Sequence, residues 1–223
     1  MKTYQEHFEE SCALRDSYWQ AAGAVDADVM APVINPAFMG GPAWPSLRQA
    51  YLTIRRPETT IMASDGLSDP YEDMDSNPDN AEYNGFGLEV YVVAEKVTGS
   101  IQGTWELQLL MQAAEILARQ GNVVSLLDEL TYITTEFYNV DVPKEFVNSE
   151  GRIGAIFGLP DEQLPGMLEL SLEPVKMVNV KLLTLAELNY IVEHGEAGRM
   201  KVAELLIQQG NATLSSLSRP SVI

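Results

Sequence analysis

The chain has 223 residues, 46% hydrophobic and 21% charged, which is ordinary for a globular protein and enough for one sizeable core. Thirty-two acidic residues face fourteen basic ones, leaving a formal net charge of −18 and a pI near 4.3. Such a field repels nucleic acid and anionic membrane, so neither is expected as a partner; it favours a basic protein partner or simple solubility.

Residues 1–11 hold Glu6, Glu9 and Glu10 and lack the apolar stretch of a signal peptide. No apolar run is long enough to cross a bilayer, so a cytoplasmic location is expected. Residues 3–21 have the period of an amphipathic helix, with Tyr4, Phe8, Cys12 and Tyr18 near one face. Cys12 is the lone cysteine, which excludes an internal disulfide and a cysteine zinc site; it reads as a small core hydrophobe. The Gly- and Pro-rich stretch up to about residue 50 is expected to be irregular, with room for a short helix at its end.

"YLTIRR" and "TTIMAS" read as strands on either side of Pro57. Residues 64–89, "SDGLSDPYEDMDSNPDNAEYNGFGLE", then carry eight carboxylates and no Lys, Arg or His. They are full of turn formers. "GLEVYVVAE" is a strand with Leu88, Val90 and Val92 on one face and Glu89, Tyr91 and Val93 on the other.

Residues 104–120 are the best helix. Trp105, Leu109, Ala113, Ile116 and Leu117 form its stripe, and Gly121 is placed to end it. A short helix is expected at 123–130. "RIGAIFGL", "GMLELSLE" and "VKMVNVKLLT" are β-rich. Thr184 and Glu187 fit a capping box opening a helix that ends near Gly195, and a last helix covers about 198–209. The expected architecture is α+β: a mixed, largely antiparallel sheet with helices packed on it. Residues 1–210 are expected to form one domain and the Ser-rich residues 211–223 a flexible tail.

The acidic stretch admits three readings. Asp73, Asp75, Asn77 and Asp79 have the alternate spacing of a calcium loop, but the Gly and Glu that an EF-hand needs are replaced by Pro78 and Asn84. No metal is therefore expected. Asp65 and Glu89 border strands and could form a catalytic pair if burial separated their pKa values; pairing with Arg55 or Arg56, or turn capping, explains them equally. The third reading is a surface for a basic partner. Other catalytic templates are missing: there is no P-loop, no G-x-S-x-G elbow and no His/Cys cluster, and Gly85-Phe86-Gly87 is followed by Val90 where a dinucleotide loop needs a third Gly. His7 and His194 fall in helices and read as structural. No cofactor is expected.

The segments "RPETTIMASDGLSDPYE", "NGFGLEVYV", "WELQLLMQAAEILARQG", "GRIGAIFGLP", "VKLLTLAELNYIVEHG" and "RMKVAELLIQQG" follow in order. This series, over roughly residues 40–210, resembles the Suppressor of fused domain family. The G-L-S-D turn, the G-F-G-L-E strand and the Trp-led helix are its most specific parts. The resemblance implies a non-enzymatic domain that binds protein. In animals the family holds Gli transcription factors between this domain and a second one; the chain ends after the first, so Gli binding is not carried over. Similar bacterial chains imply an immunity protein neutralising a polymorphic toxin, often a nuclease. A regulatory scaffold adding an extended peptide to a sheet edge is the alternative, and a hydrolase using Asp65 and Glu89 the third. An inhibitor that mimics phosphate with carboxylates suits a nuclease cleft, and turn chemistry places those carboxylates at the surface. The expected partner-binding residues are Asp69, Glu72, Asp73, Asp75, Asp79 and Glu82.

Overall fold

The computed structural model describes residues 2–210 and 212–223. Met1 and Asn211, where the expected domain and the expected tail begin, lie outside the described residues. The fold is α+β, with a mostly antiparallel sheet. The elements are α1 (Tyr4–Ala22), β1 (Ala24–Val25), β2 (Ala50–Arg55), β3 (Thr59–Asp65), β4 (Leu88–Glu95), α2 (Trp105–Gln120), α3 (Val123–Leu130), β5 (Ile133–Phe137), β6 (Ile153–Phe157), β7 (Met167–Glu169), β8 (Pro174–Leu182), α4 (Leu185–Gln208) and β9 (Leu214–Ser215).

The sheet runs β1-β2-β3-β4-β8-β6-β5, with β7 beside β8 and β9 beside β4. β1 to β4 pair antiparallel, and β4 and β8 pair in parallel from Leu88 opposite Lys176 to Tyr91 opposite Asn179. Beyond that point the two strands diverge. β9 fills the fork, pairing with Val93 and Ala94 of β4 while Ser215 Oγ accepts from Leu182 N at 3.0 Å.

Period-2 alternation gives the sheet two apolar faces. Met62, Leu88, Val90, Val92, Val178 and Val180 pack with Leu109, Leu110, Ala113 and Leu117 of α2. Ile54, Ile61, Ala63, Tyr91, Val93 and Met177 pack with Trp19 of α1. Both helices begin on threonine caps, Thr3 and Thr104, and Gly121 ends α2 in the left-handed region as its sequence position predicts. The box of Thr184 and Glu187 opens α4, which breaks at Gly195 (φ 58°, ψ −133°), where two helices were expected to meet.

Two expectations are corrected. The buried face of α1 is His7, Ser11, Arg15 and Trp19, spaced by four, while Tyr4, Phe8, Cys12 and Tyr18 are half-buried. A stripe containing a serine and an arginine is invisible to hydrophobic periodicity, because those residues go inside only where partners wait for them. Residues 212–223, expected as a flexible tail, are tied down. β9 pairs in the sheet, Ser216 Oγ donates to Glu95 at 2.7 Å, and the Arg219 guanidinium closes on the buried Glu187 carboxylate.

The Lys181 ammonium is buried in the fork and donates to Leu214 O. Burial, reinforced by the Arg219 charge and opposed by Glu187, lowers its pKa to about 7. The unfolded chain, with lysine near its ordinary ~10.4, therefore binds more protons than the native state above pH 7. Unfolding free energy should rise as pH increases from 7 to 9, and Lys181→Met should flatten that rise. Urea titrations of both proteins across the window check it; parallel slopes refute the assignment.

Candidate partner-binding site

The acidic stretch divides into two parts with opposite fates. Its first part, Asp65 to Asp69, turns into the protein. Gly66 makes the turn possible: its φ is 137°, and a Cβ there would lie 2.4 Å from Arg48 O. The turn aims the N–H groups of Gly66 and Ser68 at Glu89 Oε1, each at 3.0 Å, and the Ser68 hydroxyl donates to the same oxygen at 2.7 Å. Ser64 Oγ donates to the other oxygen. Glu89 is thus the fully buried acceptor around which the G-L-S-D turn folds.

Arg15 of α1 and Arg48 join this knot. Arg15 Nε donates to Asp65 at 2.9 Å, its Nη2 donates to Asp69, and its Nε lies 3.9 Å from Glu89. Arg48 donates to Asp69 through Nε and Nη2, both at 3.0 Å, and to Asp65 through Nη1 and Nη2. Ser46 Oγ completes Asp69 at 2.6 Å. Two guanidinium groups and three carboxylates therefore share one site with no exposure at Arg15, Asp69 or Glu89. Burial pushes Asp65 up, but the Arg48 bond and the charges of Arg15 and Arg48 outweigh it and hold its carboxyl below the ordinary value. Burial pushes Glu89 up, and the nearby Arg15 charge does not cancel it. Cys12 Sγ lies 3.4 Å from Arg15 Nη2, yet burial raises its thiol pKa and disfavours a reactive thiolate.

Two sequence expectations change here. Asp65 and Glu89 do come together, but with Arg15 and Arg48: Arg55 pairs with Asp26 at 2.8 Å, and Arg56 donates to Ala22 O and Gln163. Asp69, expected at the partner surface, is fully buried. Turn residues usually sit at the surface, but this turn is pulled inward by two arginines from elsewhere in the chain.

The second part of the stretch forms an outward lobe. Glu72, Asp73, Asp75, Asp79 and Glu82 are all exposed, and residues 72–82 include no basic side chain. The lobe is braced from within. Asn80 and Asn77 donate to Asp73 at 2.8 and 3.1 Å and hold its pKa below the ordinary value. Asp75 accepts from Tyr4 N at 3.2 and 3.3 Å, at the N-terminus of α1, where an orphan N–H and the helix dipole both favour an anion. Met74 is buried beneath it. Five carboxylates are thus held outward on a supported loop. Among the described residues, no group of three or more His, Cys, Asp and Glu side chains could hold a metal ion, and no helix is long and apolar enough to cross a membrane.

Fold and site together define an α+β domain with a buried acid–arginine knot under an anionic lobe. The chain matches the family model of Suppressor of fused protein (SUFU) over residues 48–220 and belongs to that family. Its fold is similar to that in a crystal structure of the Sufu–Fu complex, at 15% identity and a TM-score of 0.57, covering 96% of this chain and 92% of that one. The crystal structure of Drosophila Suppressor of fused also matches, at 14% identity and a TM-score of 0.46, over 78% of this chain and 42% of that one. None of the curated proteins compared with the chain matches it in sequence.

The knot makes a differential prediction. Gln in place of Glu89 keeps one oxygen for the Gly66 and Ser68 donors, and its amide can donate to Ser64 Oγ in place of the bond Ser64 now makes. Asn in place of Asp69 leaves Arg15 and Arg48 with too little charge opposite them. Asp69→Asn should cost about 3 kcal/mol and Glu89→Gln about 1 kcal/mol or less. The Asp65 contribution, present at neutral pH, should be lost as pH falls below about 4. Urea unfolding of the two variants at pH 7, and of the wild type at pH 7 and 3, measures all three. Equal costs for the two substitutions would contradict the assignment.

Proposed function

We propose that this chain is a non-enzymatic protein-binding domain whose acidic lobe docks a basic protein. Its role on this reading is that of a bacterial immunity protein in the cytoplasm, neutralising a toxin such as a nuclease with a basic cleft. The observation that carries the reading is the outward set Glu72, Asp73, Asp75, Asp79 and Glu82, held without a basic neighbour on the lobe. A loop braced before binding, with Asp73 and Asp75 held by hydrogen bonds, loses little freedom when the partner arrives, and the field of its carboxylates speeds encounter with a cation. Asp65 and Glu89 are taken up by the buried knot, which favours binding over hydrolysis. The similar Sufu structure is itself a complex with Fu, in keeping with a protein-binding domain.

A second reading also has an observation behind it. Among the described residues β5 pairs only with β6, so its other edge is open. Beside it lies an apolar recess of about 230 Å³ lined by Ile116, Leu117, Val123, Leu126, Ile133 and Phe157. A peptide could add there as a strand and seat side chains in the recess.

Salt separates the two. Co-expression with the protein encoded by the neighbouring gene should relieve growth arrest caused by that protein. The association rate of the purified pair should fall steeply as the Debye length shrinks from ~30 Å to ~8 Å between 0.01 and 0.15 M salt. The triple substitution Glu72→Gln, Asp79→Asn, Glu82→Gln should slow association about tenfold at low salt without changing stability. No relief of arrest refutes the immunity role; salt-insensitive association moves the contact to the β5 edge.

A further inference from the structure

Residues 29–47 contain no charged side chain, although the chain carries −18 overall. They form a loop closed at its base, where Met30 and Tyr51 exchange backbone hydrogen bonds of 3.0 and 2.8 Å. Polar groups are stitched inside it. Asn35 accepts from Ala37 N at 2.9 Å, capping the short 3-10 turn Pro36–Met39, and donates to Leu47 O. Gln49 donates to Pro42 O at 3.3 Å. Trp44 is sent into the core.

What the loop leaves outside is apolar. Val33, Ile34, Phe38 and Met39 are 103, 59, 75 and 76% exposed. Single exposed apolar side chains are normal, but four within seven positions on a self-braced loop form a patch. At its foot Leu47 is also exposed and takes a left-handed backbone conformation (φ 54°), which a branched side chain disfavours.

The foot of the loop, not its apolar tip, meets the acidic lobe. Pro45 O accepts from the Glu72 backbone N–H at 3.3 Å, so the foot of the apolar loop is hydrogen-bonded to the backbone of the first lobe residue. We propose that this apolar lip is the anchor of the partner site, and that the partner is a protein whose basic face carries an apolar cleft. This rests on the acidic-lobe reading above and adds to it. Charge complementarity selects the occupant: a second copy of this chain would bring two acidic lobes together, and an anionic membrane is repelled by the same lobe, whereas a basic surface is attracted to it. The division of labour is the usual one, with desolvated apolar anchors giving residence and charged surroundings giving approach.

The test uses two synthetic peptides of equal length and charge, one alternating Lys and Leu, the other Lys and Ser. Their binding to the full chain is read by fluorescence anisotropy at low and physiological salt, and compared with a Phe38→Ser, Met39→Ser variant, whose changed residues lie at the surface. The Lys–Leu peptide should bind the native chain on the order of tenfold more tightly than Lys–Ser, given what burying one or two large apolar side chains contributes. The double variant should erase that difference and keep the salt dependence. Unchanged Lys–Leu binding to the double variant overturns the anchor while leaving the lobe reading intact. If neither peptide binds at low salt, the lobe reading falls with it. A dimer in light scattering that the double variant dissolves would give the lip to a second copy of the chain and also overturn the proposal.

Discussion

The fold turns on a charge problem solved indoors. Glu89 sits at the start of the central strand β4, fully buried, and needs donors for both oxygens. The G-L-S-D turn supplies them, and in folding inward it carries Asp65 and Asp69 with it. Arg15 and Arg48 then become necessary, because buried carboxylates without counter-charges are costly by several kcal/mol each. Arg15 comes from the first helix and Arg48 from the approach to β2, so the knot fastens α1, the strand ends and the turn together. Removing one partner of such a site is far more damaging than the site is stabilising.

This knot also explains where the outward lobe stands. Once Asp69 is fixed below, Pro70 and the buried Met74 lead the chain out again, and Asp75 closes on the amino end of α1. The helix that brings Arg15 into the core therefore offers its first turn as the lobe's support. The buried Asp69 and the exposed Glu72 lie three residues apart in sequence and differ completely in environment. The buried set fixes the geometry in which the exposed set and the apolar lip are presented.

Much of this was legible in the sequence. Alternation placed the two faces of β4, the Gly121 stop and the Thr184–Glu187 box were visible as residue patterns, and the order of short motifs gave the family. The missing part is long-range. Nothing near Asp69 in the sequence signals two arginines 21 and 54 residues away that draw it inside. Hydrophobic periodicity leaves Arg15 off the α1 stripe for the same reason, although it stands four residues from both Ser11 and Trp19. β5 was missed because "ITTEF" is half-polar and short, and β9 because two residues of strand in a Ser-rich tail carry no local pattern; both are made by the neighbours they pair with. The apolar lip was passed over because Gly and Pro mark irregular chain without saying which side chains it leaves outside.

The measurement closest to the central claim is equilibrium unfolding of Arg15→Met, which keeps the side chain's volume and removes its charge from the knot. The account predicts a loss of about 3–5 kcal/mol relative to the wild type at neutral pH. A loss under about 0.5 kcal/mol, the level expected of an ordinary surface substitution, would show that the buried acids do not need their arginine and would contradict it.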